Sequence, residues 1–327
     1  MRRLAAAWLA ALALLAAPAM AADPAPGQAV FVTLGTGGGP LTRVKRSEPA
    51  NALVVNGAVY LFDAGDGAQR QLTAAGLSVH AVRAVFVSHH HIDHNGGLAP
   101  LLVTRWLLND RAPLPVIGPP GMNAMVDGIA AAYRATELAP VTIGGPPMPA
   151  IRATLAPQEL AATIDAPTLV YQDANIRVLA ITNDHYHFPP GSAAAATARS
   201  YAFRIETAGR TIVYTGDSGP SAHLQTLAAG CDLLVSEVID MQAMAAALAR
   251  ANDIPPAARA PMMAHMAQDH LTPENVARLA AAAGAKRVVL THLAPGMDDE
   301  TGTAGYTAGM AAIYSGPVSV ANDLDRF

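Results

Sequence analysis

The segment His89-His90-His91-Ile92-Asp93-His94 places four histidines and an aspartate within six residues. Packing alone does not explain it, because each of these polar groups would need a partner in a core. Neutral imidazole nitrogen and carboxylate oxygen are good ligands for Zn²⁺. The segment follows an apolar β-type run, residues 82–88. His89 and His91 are two residues apart, so an extended chain puts them on one side. Asp93 and His94 come after a turn and can face a second ion. Gly96 and Gly97 then let the backbone bend tightly. Three other apolar runs also end in ligand-type residues. Residues 175–182 lead to Asn183-Asp184-His185-Tyr186-His187, residues 210–215 to Gly216-Asp217-Ser218-Gly219, and residues 287–291 to His292. One such ending is ordinary. Four of them predict strand ends converging on a single pocket.

The runs that must position these residues alternate between strand and helix patterns. Residues 29–34 and 52–62 read as strands, the latter folded at Asn56-Gly57 as a hairpin. Residues 69–75 read as a helix stopped by Gly76, and residues 82–88 as a buried strand. A short strand at 114–117 precedes a helix at 121–139. Residues 140–168 are rich in Pro and Ala with weak periodicity and read as an elaborated loop region. Strands follow at 175–182, 200–207 and 210–215, the last two paired about Ala208-Gly209, and then at 232–236 and 287–291. Thr272-Pro273-Glu274 opens a helix with an N-cap, an N1 proline and an early acid, and Gly284 closes it. Interleaved strands and helices with several hairpins predict an α/β domain whose mixed sheets are covered by helices.

Composition narrows the function. The chain has 327 residues, 52% of them hydrophobic and 14% charged, so it can fold around a large core. Its net charge of -4 and lack of a long basic run argue against an electrostatic nucleic-acid binder. A single cysteine, Cys231, excludes an internal disulfide or a multi-cysteine metal site. Residues 1–22 read as a secretory signal peptide: Arg2 and Arg3, an apolar run, then Ala-x-Ala patterns at 17–19 and 19–21. The alternative is an uncleaved membrane anchor. The expected protein is therefore one domain, residues 23–327, periplasmic or secreted, with no stable membrane insertion after signal removal. A homodimer is left open.

Ser88-His89-x-His91-x-Asp93-His94 resembles the H-x-H-x-D-H signature of the metallo-β-lactamase superfamily, and the later His, Asp and His endings fall in the order of that family's remaining ligands. Leu34-Gly35-Thr36-Gly37 and the run Phe62-Asp63-Ala64-Gly65-Asp66-Gly67 resemble segments of its ribonuclease Z branch, and His270-Leu271-Thr272 resembles that branch's H-x-T motif. The resemblance implies an αββα sandwich with two zinc ions in a cleft at one edge. It implies that His89, His91 and His185 hold the first ion, that Asp93, His94 and His292 hold the second, and that Asp217 bridges them. His187 also follows its strand and competes with His185. The catalytic residues implied are Asp93, Asp217 and His270. Two ions held there would, as the resemblance implies, acidify a water for attack on phosphorus, sulfur or carbonyl. His270 then protonates the leaving group or binds the oxyanion, unless it merely opens its helix.

Several residues have a structural reading beside the functional one. Asp63 either orients a ligand imidazole or caps a strand-end turn. Glu237 either supports the site from behind or packs in the core. Gly35–Gly39 reads as a tight turn near the cleft rather than a phosphate loop, since Pro40 follows and no helix opens there. The methionines at 241, 244, 262, 263 and 266 either line an apolar wall or pack a helical pair. His80, His223 and His265 read as ordinary surface or loop residues.

Departures from ribonuclease Z shift the expected substrate. The run between His185 and Ser200 is short and rich in Gly and Ala, with no room for a tRNA-clamping arm. Gly219 stands where the branch usually carries arginine, and Leu293-Ala294-Pro295 replaces its Ser-Arg-Tyr ending. The chain looks more like the secreted, arylsulfatase-type relatives. The expected function is a binuclear zinc hydrolase of small-molecule esters, arylsulfate or phosphodiester, with no nucleic-acid partner. The alternatives are a β-lactam or lactone hydrolase of the same fold and a non-enzymatic periplasmic zinc-binding protein.

Overall fold

A computed structural model describes residues 28–139 and 147–327. The proposed signal peptide lies outside the described residues. The first half runs β1 (Ala29–Gly35), β2 (Ala50–Val55), β3 (Ala58–Ala64), α1 (Ala68–Ala74), β4 (Val82–Phe86), α2 (Ile92–Asn95), α3 (Leu98–Leu107), β5 (Leu114–Gly118), α4 (Met122–Ala132), α5 (Arg134–Glu137) and β6 (Leu155–Glu159). The second half runs β7 (Thr168–Gln172), β8 (Ile176–Thr182), α6 (Ala193–Thr197), β9 (Tyr201–Thr207), β10 (Thr211–Tyr214), α7 (Ala222–Ala228), β11 (Leu233–Ile239), α8 (Met241–Arg250), α9 (Pro256–Asp269), α10 (Pro273–Ala283), β12 (Val288–Ala294) and β13 (Val318–Val320).

Each half builds one mixed sheet. Strands β1 to β6 form a six-stranded sheet in sequence order, and β7 to β13 form a seven-stranded sheet in sequence order. In both sheets the early strands pair antiparallel and the later ones parallel. Asn56 and Gly57 both take positive φ, 51° and 75°, as a tight hairpin between β2 and β3 requires.

Three apolar cores stack the layers. Phe31, Phe62, Phe86 and Phe203 lie between the two sheets, with Phe62 and Phe86 stacked 4.8 Å apart. On the outer face of the first sheet, Leu61, Val85 and Val116 meet Leu72, Leu102, Trp106 and Val126 of its helices. On the outer face of the second, Val213, Leu234 and Leu290 meet Leu224, Leu227, Val276 and Ala280, with Cys231 buried among them. The result is the αββα sandwich. Strands β11 and β12 are buried along their whole length, as parallel strands covered on both faces must be.

Two sequence expectations need correction. The helix expected over 121–139 begins at Met122, because Gly121 has φ 101°, and breaks at Tyr133 into α4 and a single turn, α5. The expected loop over 140–168 contains β6, paired parallel to β5. As an edge strand, β6 carries Pro157, Gln158 and Glu159 and so lacks the apolar pattern of an interior strand. Thr272 caps α10 by accepting from Asn275 N, and Gly284 ends it at φ 64°, as expected. No helix among the described residues is long and apolar enough to cross a membrane.

Candidate metal centre

The strand ends of both sheets meet at one edge of the sandwich. β4 runs through Val87 and Ser88 to His89, and α2 then presents Asp93 and His94. The loop after β8 brings His185, the turn after β10 brings Asp217, and β12 brings His292. His292 sits at a bulge: Thr291 pairs with Glu237 and Leu293 with Val238, which leaves His292 unpaired at φ 43°. The bulge turns its imidazole out of the strand alternation and toward the cleft.

Asp63 stands behind the centre, also at a bulge and with φ 62°. Its Oδ2 accepts from His94 Nδ1 at 2.7 Å, Ser88 Oγ at 2.8 Å and Tyr214 Oη at 2.7 Å. Its Oδ1 accepts from Ser88 N at 2.6 Å. With Nδ1–H given to Asp63, His94 aims a free Nε2 lone pair at the cleft. His89 Nδ1 lies 3.0 Å from Ser88 Oγ, which fixes the second ring in the same way. His185 Nδ1 donates to the Asp269 carbonyl at 3.0 Å. The expected orienting role of Asp63 is what its contacts describe.

Two donor sets result. His91 Nδ1 lies 3.0 Å from His89 Nε2 and 3.2 Å from His185 Nε2. Bond lengths of 2.0–2.1 Å in a tetrahedral zinc site put ligand nitrogens about 3.3 Å apart, so this spacing suits one ion. In the second set, Asp93 Oδ2 lies 3.6 Å from His94 Nε2 and 3.5 Å from His292 Nε2. Asp217 Oδ2 is 3.3 Å from His94 Nε2, 3.1 Å from His292 Nε2 and 3.9 Å from His89 Nε2, so it touches both sets. His94 Nε2, His292 Nε2 and Asp217 Oδ1 are buried without a hydrogen-bond partner. Orphaned atoms of this kind are costly unless something else meets them, and a cation would. The donor chemistry fits zinc.

Electrostatics separate the sets. Burial pushes the His185 pKa down to about 3 and holds His89 well below the usual histidine range, which leaves both as neutral donors. Burial also opposes charge on His292, but Asp217 overrides it and raises the pKa to about 10. His94 is likewise raised against burial by Asp217, Asp93 and Asp63. Carboxylate charge that favours an imidazolium here equally favours a metal cation.

Of the expected residues, the structure brings His89, His91, Asp93, His94, His185, Asp217 and His292 into groups able to hold a metal, and adds His270 beside His185 and Asp217. His187 faces away, 2.6 Å from Asp269 Oδ1. His270 Nδ1 lies 2.7 Å from Glu237 Oε2, and the other oxygen of Glu237 accepts from Ser218 N at 2.7 Å. Of its two readings, Glu237 thus takes the one behind the centre. The glycine segment is a tight turn at the cleft: Gly39 N donates to Asp93 Oδ2 at 3.0 Å, and a Cβ on Gly38 would come within 3.0 Å of the His292 ring. Gly219 has its own reason, since a Cβ there would overlap the Gln268 carbonyl at the end of α9. The methionines of α8 and α9 pack with Ile239 and Leu248 as a small separate core. His80 and His265 are exposed, and His223 Nδ1 lies 2.8 Å from the Thr182 carbonyl.

Asp269 is the residue that sequence reasoning missed. Buried beside His270, it also accepts from His265 Nδ1 at 2.8 Å, so it fixes the His185 loop from two directions. Only its adjacency to His270 could have drawn attention to it.

A sequence profile of the beta-lactamase superfamily domain matches residues 59–293, which spans β3 to β12 and every donor above. The chain belongs to this superfamily. It is similar to proteins named ribonuclease Z: 30% identical over 306 residues to that of Mycobacterium bovis (strain BCG / Pasteur 1173P2), covering 90% of this chain and 95% of the relative. With that of Mycobacterium sp. (strain KMS) it shares 29% over 309 residues, covering 91% and 95%. Among solved structures, the short form of human tRNase Z aligns with TM-score 0.62 and 24% identity over 91% of this chain and 98% of that one. Zn²⁺-bound PqqB from Methylobacterium extorquens aligns with TM-score 0.59 and 15% identity over 91% and 99%. The protein is a hydrolase of the metallo-β-lactamase fold with a candidate His/Asp metal site.

Proposed function

We propose that this superfamily member is a binuclear zinc hydrolase that cleaves small phosphodiesters outside the cytoplasm. The observation that carries the reading is the convergence of two donor sets that share Asp217, with His270 held beside them by a buried Glu237. Zinc at both sets would supply Lewis-acid charge and a water acidified toward neutral pH. This chain's own residues then orient and move protons. Asp217, Asp93 and Asp63 fix the second set, and the loop after β8 closes the first. Burial opposes charge on His270, yet Glu237 raises its pKa above the ordinary histidine value. The acid form of His270, able to give its proton to the departing oxygen, therefore persists to higher pH than in an ordinary histidine.

Phosphodiesters are preferred over arylsulfates because the relatives are named for ribonuclease activity. Transfer RNA is disfavoured because only the five-residue α6 stands between His185 and β9. Steady-state assays of the zinc-loaded protein on bis(4-nitrophenyl) phosphate, 4-nitrophenyl sulfate, a chromogenic cephalosporin and a lactone test the reading. The highest kcat/KM is expected on the phosphodiester. A higher value on any other substrate moves the assignment to that class, and metal binding without any turnover makes the protein a zinc binder. Secretion is tested by N-terminal sequencing, with a mature start expected near Ala22.

A further inference from the structure

The loop that supplies His185 also carries two aromatic rings to the mouth of the centre. Tyr186 lies 4.8 Å from the ring of His185, 5.2 Å from His91 and 5.9 Å from His89. Phe188 stacks on Tyr186 at 5.2 Å with an interplanar angle of 23°, and is 38% exposed. Neither ring belongs to any of the apolar cores among the described residues. His91, the exposed member of the first donor set, marks where the centre opens to solvent, and Ile92 beside it is 63% exposed. A phenylalanine left half in water next to an open polar centre contributes little to folding. It does offer an apolar surface to whatever enters.

The rings are held rather than loose. His187, between them, bonds to buried Asp269, which His265 also grips. A cavity of about 240 Å³ adjoins the pair, lined in part by Thr182, Asp184 and Arg199. Arg199 turns its guanidinium to the backbone, donating to the carbonyls of Ala162, Ala195, Ala196 and Ala198. The part-exposed Phe188 ring, stacked on Tyr186, thus offers its surface to a flat ring.

We propose that Tyr186 and Phe188 form a subsite for a planar aromatic ring of the substrate, beside the ester that the centre cleaves. The inference rests on the phosphodiesterase reading. The ring is either an aryl group or a nucleobase, since both present a π-face.

Isothermal titration of the zinc-loaded protein with methylphosphonate, phenylphosphonate and adenosine 5′-monophosphate tests this without turnover. Phenylphosphonate is expected to bind about tenfold tighter than methylphosphonate, within the range that aromatic contacts supply. Phe188→Ala should bring that ratio to about one, and Phe188→Trp should restore it. A general disturbance of the centre weakens both phosphonates alike and leaves the ratio standing. A ratio that survives Phe188→Ala therefore overturns the subsite alone. If no phosphonate binds the wild-type protein, the phosphoryl reading fails and the subsite falls with it. A larger Phe188→Ala loss for adenosine monophosphate than for phenylphosphonate assigns the ring to a nucleobase, and the reverse assigns it to an aryl group.

Discussion

At the scale of single residues, the centre depends on which ring nitrogen each histidine leaves free. His185 has that nitrogen aimed at His91, whereas His187 is tied to Asp269. His185→Ala should lower zinc content by about one ion per chain, while His187→Ala should leave both ions bound, as read by elemental analysis. His270 acts through charge. Burial works against its imidazolium, but Glu237 raises its pKa, so the acid form is present at low pH and is lost as pH rises through that pKa. Turnover of a diester with a poor leaving group should thus fall on the alkaline side. Glu237→Gln removes the raising charge and should move that alkaline limb to lower pH, seen in the pH profile of kcat. The ligand histidines and aspartates were legible because they cluster within a few residues of the ends of four apolar runs. Asp269 was not, because its role arises only where the end of α9 meets a loop more than 80 residues earlier.

At the scale of elements, irregularities do the aiming. Asp63 and His292 both sit at bulges with positive φ, and a regular strand would turn them away from the cleft. Sequence shows a strand and its terminal polar residue but not the extra residue that rotates it, since a bulge depends on the partner strand's register. Edge strand β6 was missed for a related reason: one flank faces solvent, so nothing enforces alternation. The glycine turn before Pro40 is a sharper case. A Cβ on Gly39 would overlap the Asp93 carboxylate. Gly39→Ala should displace Asp93 and weaken zinc affinity by roughly the 10–100-fold seen when groups supporting a ligand are disturbed. Competition with a chromogenic chelator measures it, and an unchanged affinity would show that the turn yields instead.

At the scale of the whole molecule, mixed sheets covered by helices were legible from the interleaved strand and helix runs, the αββα order came only with the family resemblance, and the packing of the two sheets through Phe62, Phe86 and Phe203 came from neither. The centre joins the two halves: His89, His91, Asp93 and His94 come from the first, and His185, Asp217 and His292 from the second. Bound ions should therefore tie the halves together. Zinc at a thousandfold excess over its Kd would add about 4 kcal/mol, so chelation should lower Tm by several degrees in calorimetry. The central claim is a hydrolytic centre of two ions. It is tested most directly by titrating zinc into chelator-stripped protein while following hydrolysis of bis(4-nitrophenyl) phosphate. The account predicts no turnover without metal and a rate that rises to a break at two equivalents per chain. A break at one equivalent, or turnover that survives stripping, would contradict it.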